Sequence, residues 1–428
     1  MPGQSGPEGA PAVIALSPEI LDAVVVALFV GTYVGMALGR LPGLAIDRTG
    51  IALLAATGLL VVGALPGPEL LAAVDFPTIA ILFGLMMLSA QFVLGGFYDR
   101  AAAGIAAARH GPAALLALTV AVGGTLSALL ANDIVVFAMT PLLCQGVARR
   151  GLDPRPFLIA LAGASNAGSA ATVVGNPQNI LIAQAGGLDF LDFLLVCGPP
   201  ATAGLAIVYG TVYVVWRKEL RRSPPCGTIE LPPVDRRQTM KGAVAAAFLV
   251  AAFVGGMPHA LAALAVAAAL IISRRIATRR MMTQVDWPLL VLFAALFIVN
   301  AAFARTGLGA EALDFLAQAG LLPERLSVLA PLTLLASNTV GNVPAVILLL
   351  SLWPEAPQGA LYGLALLSTL AGNLLLIGSV ANIIVAERAA ASGVRLGFAE
   401  HARCGVPMTL LSMAVAALWL VAGGWMPW

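Results

Sequence analysis

Polar residues interrupt apolar helical sequence at four places in this chain, and the four form two matched pairs. LSALLANDIVVFAMTPLL (126–143) aligns with ASNTVGNVPAVILLLSLW (336–353), with Ser127 on Ser337 and Asn132 on Asn342, an offset of 210. VVGNPQNILIAQ (173–184) aligns with LIGSVANIIVAE (376–387), with Gly175 on Gly378 and Asn179 on Asn382, an offset of 203. Asp75-Phe76-Pro77 meets Asp286-Trp287-Pro288 at an offset of 211. A break inside an apolar helix bares amides and carbonyls that lipid cannot satisfy, so it must be buried or line a cavity. Half-helix N-termini there offer N–H groups to an anion, while carbonyls and side-chain oxygens hold a small cation.

The residues placed for that chemistry are Ser127, Asn132, Asp133, Ser165, Asn166, Thr172, Asn176 and Asn179 in the first half. The second half supplies Ser337, Asn338, Thr339, Asn342, Asn373, Ser379 and Asn382. Taken singly, each also suits helix–helix contact, which uses small polar residues in membranes. Repetition at fixed offset favours a functional reading of the set. Asp133 is the acid deepest in an apolar element, and Val343 holds the matching position. It suits a proton switch or a sodium ligand, and equally a cap on the following half-helix. Asp75 and Asp286 stand before X-Pro at helix starts, where capping is expected. A solvated Glu387–Arg388 pair is expected beyond the last break. No Arg or Lys falls among the candidates, so a charged anion would rest on half-helix dipoles and a co-bound cation.

The composition tells what these elements sit in. The 428 residues are 60% hydrophobic and 10% charged, whereas soluble domains carry about a quarter charged residues. This predicts a polytopic membrane protein with the lipid bilayer and a small-ion substrate as partners and no nucleic acid. Cys144, Cys197, Cys226 and Cys404, and the three histidines, lack metal-ligand spacing. No cofactor is expected beyond sodium or a proton as coupling ion. No GxxxxGK[ST] occurs, so energy must come from an ion gradient, a membrane potential or a separate ATPase subunit. No second membrane acid or Ser–His pairing suggests an intramembrane protease, and an enzyme is not expected. MPGQSGPEGAPAV has no basic residue ahead of an apolar run, so residues 1–18 read as a disordered tail, not a cleavable signal.

Apolar spans read 23–39, 50–65, 76–94, 112–148 broken at Asn132, 156–188 broken near Asn176, and 193–216. A polar, Pro-rich linker (217–242) follows, then 243–255, 258–273, 287–304, broken stretches 326–354 and 359–386, and 406–425. Segments 97–110 and 309–325 read as helices lying at the membrane surface, or equally as connecting loops. With the linker cytoplasmic, 21 of the 23 Lys and Arg fall on that side, as basic loops do. The second hairpin's legs, roughly 15 and 12 residues, reach about 22 and 18 Å, short of a ~30 Å hydrocarbon core. They predict a re-entrant hairpin. The expected fold is an all-α membrane protein of two inverted repeats, 19–216 and 243–428, each with a re-entrant hairpin and a broken helix. Both termini are expected outside, in a bacterial cytoplasmic membrane.

SNAGSAATVVGNPQNILIA (165–183) resembles the SN-x-GG-x-AT-x-x-G-x-PPN-I-x-I pattern of the ion transporter superfamily. LANDIVVFAMTPLL (130–143) resembles the hairpin of its arsenite and anion permeases; SNTVGNVPAVILLL (337–350) and GNLLLIGSVANIIVAE (372–387) resemble the second hairpin and second break. The superfamily also includes citrate–metal transporters, sodium/proton antiporters and sodium-coupled divalent anion symporters. The resemblance implies an elevator-type secondary transporter, often a homodimer. Ser165-Asn166 and Ser337-Asn338-Thr339 resemble the symporters' Ser-Asn-Thr signatures for sodium and substrate, but Ala167 replaces Thr in the first. Asn132-Asp133 matches the arsenite-permease type, which tilts coupling toward protons. The expected function is movement of a small anion, or an arsenite-like oxyanion or neutral acid, on a proton or sodium gradient. A sodium/proton antiporter is the alternative within the superfamily. A passive channel is the alternative outside it, since Asn176-Pro177 and Asn342-Val343-Pro344 are similar to the Asn-Pro half-helices of aquaporins.

Overall fold

Pro, Gly, Asn and Asp set most of the points where these apolar helices begin and end. The computed structural model describes residues 16–39, 43–108, 110–221 and 231–428. Most of the expected N-terminal tail, part of the linker and Cys226 lie outside them. The described residues form helices and no strand. The first ten are α1 (Pro18–Leu38), α2 (Arg48–Val61), α3 (Gly67–Ala73), α4 (Phe76–Leu94), α5 (Phe97–Ala107), α6 (Pro112–Leu129), α7 (Asn132–Arg149), α8 (Arg155–Ser169), α9 (Pro177–Gly186) and α10 (Phe190–Val215). After the short α11 (Arg217–Leu220) come α12 (Arg236–Val254), α13 (His259–Ile271), α14 (Thr278–Met282), α15 (Trp287–Ala304), α16 (Leu308–Gln318) and α17 (Leu326–Thr339). The chain ends with α18 (Asn342–Leu352), α19 (Gln358–Ala371), α20 (Val380–Ala391) and α21 (Phe398–Ala422). Seven of them are long and apolar enough to cross a membrane: α1, α4, α6, α10, α12, α15 and α21. The protein is an integral membrane protein.

Local chemistry accounts for the boundaries. Asp75 accepts from Thr78 N at 3.1 Å and Asp286 from Leu289 N at 3.1 Å, so both acids cap helices whose first turn holds Pro. α12 starts at Arg236, inside the segment read as linker, because Asp235 accepts from Arg237 N and Gln238 N. α3, α11 and α14 are too short to show in apolar periodicity. Segment 97–110 contains the helix α5, and α16 starts one residue ahead of 309–325 and fills its first part. Glu387 and Arg388 do not pair: the Arg388 guanidinium lies 3.6 Å from the centre of the Phe137 ring instead.

Helix packing follows an exchange rule. α2 packs on α15, and α13 packs on α4. α7 packs on α20, and α18 on α9; α8 meets α20 as α19 meets α9. Each contact becomes its companion when the corresponding elements of the two sequence copies are swapped. α8 and α19 run through the interior and are buried along nearly their whole length. A Cβ on Gly168 would collide with the Gly124 backbone, so α8 and α6 touch main chain to main chain, as small residues permit in membranes.

Candidate functional site

Each apolar stretch stops at its polar residues because the backbone must turn there. Asn176 is extended (φ −151, ψ 161) ahead of Pro177, and its side chain accepts from Asn179 N at 2.8 Å, the geometry expected before proline. Ser379 is extended at the matching position (φ −143, ψ 143) without a following Pro, and accepts from Ala381 N. At the second hairpin tip Gly341 has φ +97, a left-handed conformation suited to Gly. The first tip turns through Ala131 and is tied to the first break by Asn132 N–H donating to Gly175 O at 3.1 Å.

Four helices begin around one cavity of about 50 Å³. Its lining includes Asn132 and Asp133 from the start of α7, Pro177 and Gln178 from α9, Asn342 to Pro344 from α18, and Ser379 and Val380 at α20. The Oδ1 atoms of Asn132 and Asn342 are buried with no hydrogen-bond partner among the described residues, and the two residues are 5% and 7% exposed. A second, largely apolar cavity of about 40 Å³ adjoins; Asp133, Asn176, Pro177, Asp286 and Leu289 are among its walls. Asp133 therefore borders both spaces. Ala131 is the N-cap of α7 and offers no side-chain acceptor, and Asp133 lies in the first turn, where a carboxylate meets the positive end of the helix.

The remaining candidates do different work. Asn166 donates to Asn373 Oδ1 (2.8 Å) and Asn382 Oδ1 (3.1 Å) and accepts from Ser379 Oγ (2.9 Å). It joins the two breaks. Asn176 Nδ2 reaches Ser169 Oγ and Thr369 Oγ1 from the other side. Thr369 occupies the position matching Asn166, so this link is the exchanged counterpart of the Ser379–Asn166 bond. Ser127 donates to Ser165 Oγ and Thr172 to Ala128 O, while Ser337 donates to Ser368 O. Asn338 donates to Leu334 O and Ala371 O. Asn179 and Asn382 hold backbone carbonyls, and the Asn373 carbonyl lies 3.1 Å from His401 Nε2. These residues brace the breaks and do not line the 50 Å³ cavity. Thr339 is exposed and turns its hydroxyl back onto Leu335 O and Ala336 O. It faces away from the cavity because it sits on the outer side of α17's last turn.

Residues 33–362 match the model of the citrate transporter family, CitMHS. The chain belongs to that family. It is similar to the silicon efflux transporter LSI3 of Oryza sativa subsp. japonica, with 27% identity covering 87% of this chain and 92% of the relative. An uncharacterized transporter of Mycobacterium tuberculosis is 29% identical over 94% of this chain and 98% of its own. The fold is similar to the crystal structure of the Alcanivorax borkumensis YdaH transporter at a TM-score of 0.51 and 15% identity, covering 97% of this chain and 99% of that one. The CitMHS chain is a transporter.

One cavity residue of this CitMHS chain corrects the expectation that no basic group is present. Arg48, first residue of α2, lines the same cavity as Asn132 and Asn342. Its Nε donates to Met36 O at 3.1 Å, and its Nη1 lies 3.6 Å from where a Cβ on Gly341 would stand. In the sequence Arg48 reads as a loop cation following the α2 cap Asp47. Only its offset of 211 to His259, first residue of α13, marks it as part of the duplication. Gln178 was equally hidden, since its amide type differs from Ala381 at the matching site.

Proposed function

We propose that this protein is a secondary transporter that moves a small oxyanion or its neutral acid across the membrane, coupled to a proton or sodium gradient. The observation that carries the reading is the convergence of four helix N-termini on one cavity that Asn132, Asp133 and Asn342 also line. Helix N-termini favour negative charge and offer N–H donors. A carboxylate at the same place provides a proton or sodium site. The space suits a compact solute: at roughly 10–15 Å³ per water, 50 Å³ holds about four waters. The rice relative's name brings silicic acid and outward movement into the set to be tested.

The reciprocal packing of α2 on α15 and α13 on α4 supports two repeats related by a two-fold exchange, and the one-sided distribution of Lys and Arg supports their inversion. In that arrangement the bundle carrying both hairpins and both breaks moves against the remaining spans, the elevator motion implied by the superfamily resemblance. A second reading, sodium/proton antiport, is favoured by Asp133 lying on the same cavity as Asn132 and Asn342.

Flux into proteoliposomes holding the purified full chain tests both readings. Arsenite, silicic acid, phosphate and sodium are offered in turn under an imposed proton or sodium gradient. Uptake of an oxyanion or acid that stops when an ionophore collapses the gradient is expected. Sodium flux alone selects the antiporter, and solute flux indifferent to every gradient selects a channel.

A further inference from the structure

We propose that the open cavity between the end of α4 and the start of α12 is a binding site for an anionic phospholipid whose headgroup carries two phosphates. The site is separate from the central cavity and stands whatever the cargo. Its volume is about 900 Å³, and its charged walls are Arg236 and Arg237 of α12, Arg275 and Arg280 around α14, Asp99 of α5, and Asp235. Two basic segments, DRRQTMK (235–241) and RRIATRR (274–280), meet there, with Arg275 Nη1 donating to Asp235 Oδ2 at 3.1 Å. The wall is pinned in place. Asp235 N–H donates to Gly95 O at 3.0 Å, and Arg100 Nη1 donates to Pro232 O at 3.3 Å. Gly96 is left-handed at φ +72, and a Cβ there would stand 3.0 Å from Pro233 O.

Charge in the cavity is unbalanced in favour of an anion. Four guanidiniums face two carboxylates, and Asp235 is already engaged by Arg275 and by the amides of Arg237 and Gln238. Arg236, Arg237 and Arg280 form no ion pair among the described residues. Arg150 and Arg155, by contrast, are spent on backbone carbonyls and on Asp153 and Glu400. Arg236 and Arg237 stand in the first turn of α12, the positive end of a helix, where a cation is disfavoured and a phosphate favoured. Guanidiniums bind phosphate oxygens with paired N–H groups, and two phosphodiesters would neutralise the cationic excess. The surface leading away from the cavity makes the occupant a lipid. Met240, Val244 and Phe248, at least half exposed, continue from Arg237 along one face of α12. α12 is long and apolar enough to cross the membrane, so this stripe lies beside acyl chains while the arginines lie at headgroup level. A soluble phosphate compound would use the arginines and leave the stripe idle.

The delipidated full chain in nonionic detergent is titrated with diphosphatidylglycerol, phosphatidylglycerol and phosphatidylcholine of the same acyl chains, and with the deacylated diphosphatidylglycerol headgroup. Bound ligand is counted by native mass spectrometry. Diphosphatidylglycerol is expected to bind about tenfold or more tightly than phosphatidylcholine or the bare headgroup, with phosphatidylglycerol between. Arg236→Ala with Arg237→Ala should cut that affinity about tenfold. Arg395→Ala with Arg403→Ala removes the same charge from exposed positions outside the cavity and should change it less than about twofold. Wild-type protein that fails to bind diphosphatidylglycerol, or holds phosphatidylcholine as tightly, overturns the site. Equal affinity for the bare headgroup overturns the lipid in favour of a soluble phosphate, and equal affinity for phosphatidylglycerol overturns the two-phosphate requirement. These comparisons decide even where a variant fails to fold. Equal loss in the two double variants overturns the cavity in favour of general surface charge.

Discussion

Asn179 and Asn382 make the same two hydrogen bonds, each Nδ2 reaching carbonyls ten and seven residues upstream. Asn179 donates to Ser169 O (3.1 Å) and Thr172 O (2.9 Å), and Asn382 donates to Gly372 O (2.8 Å) and Leu375 O (3.1 Å). An unwound helix leaves its last carbonyls without amide partners. Here one amide side chain from the next half-helix folds back to hold two of them, in both copies.

These two side chains therefore carry stability before they carry any ion. Asn382→Ala or Asn179→Ala strands two buried carbonyls, at a cost of about 1–3 kcal/mol for each group left unpaired. Thermal unfolding followed by size exclusion should show a clear drop in melting temperature for either variant. Asn382→Asp, which loses both donors and adds charge, should be worse than Ala. A melting curve equal to wild type would remove the bracing role.

Close approach of α6 and α8 depends on Gly168. Because a Cβ there collides with the Gly124 backbone, which cannot swing aside as a side chain can, Gly168→Ala should destabilise by about 1–3 kcal/mol or more. Gly104, on α5, has nothing within 4 Å of a Cβ. Gly104→Ala should be neutral or stabilise by about 0.5–1 kcal/mol. Yield of monodisperse protein from parallel preparations checks the contrast.

Arg150 is buried and donates to Ala106 O (3.1 Å), Ala108 O (2.7 Å) and His110 O (2.9 Å). Its charge thus sits on the C-terminal carbonyls of α5, where a helix favours a cation. Arg150→Ala is expected to free the α5–α6 connection, and Arg150→Lys to recover only part of the loss because one ammonium cannot span the three acceptors. Limited proteolysis between residues 105 and 112 should be fast in Arg150→Ala, intermediate in Lys and slow in wild type.

Asp133 borders both cavities from the first turn of α7. If it carries the coupling proton, Asp133→Asn should abolish solute movement driven by a pH gradient while leaving exchange of solute at equal pH on both sides. Flux in vesicles with and without the gradient reports this directly. Coupling that survives the substitution dismisses Asp133 as the carrier.

Backbone interruptions are written locally, and so they were readable in the chain itself. Pro177 after Asn176, Gly341 at φ +97 and the capping acids Asp75 and Asp286 each act on their own few residues. Their repetition at offsets of 203 to 211 exposed the duplication and the order of the elements. What that pattern cannot give is the direction a side chain takes. Asn132 and Asn342 line the cavity, while Asn179 and Asn382, equally polar and equally repeated, hold carbonyls of their own breaks. Thr339 points outward, and Arg48 reaches a hairpin tip almost 300 residues further along the chain. Those outcomes depend on how helices far apart in sequence rotate and press together, because packing side chains to fill space fixes rotation for the bundle as a whole. Residue types and breaks came from the sequence; which of those residues share a cavity, and with what charge, came only from the packed helices.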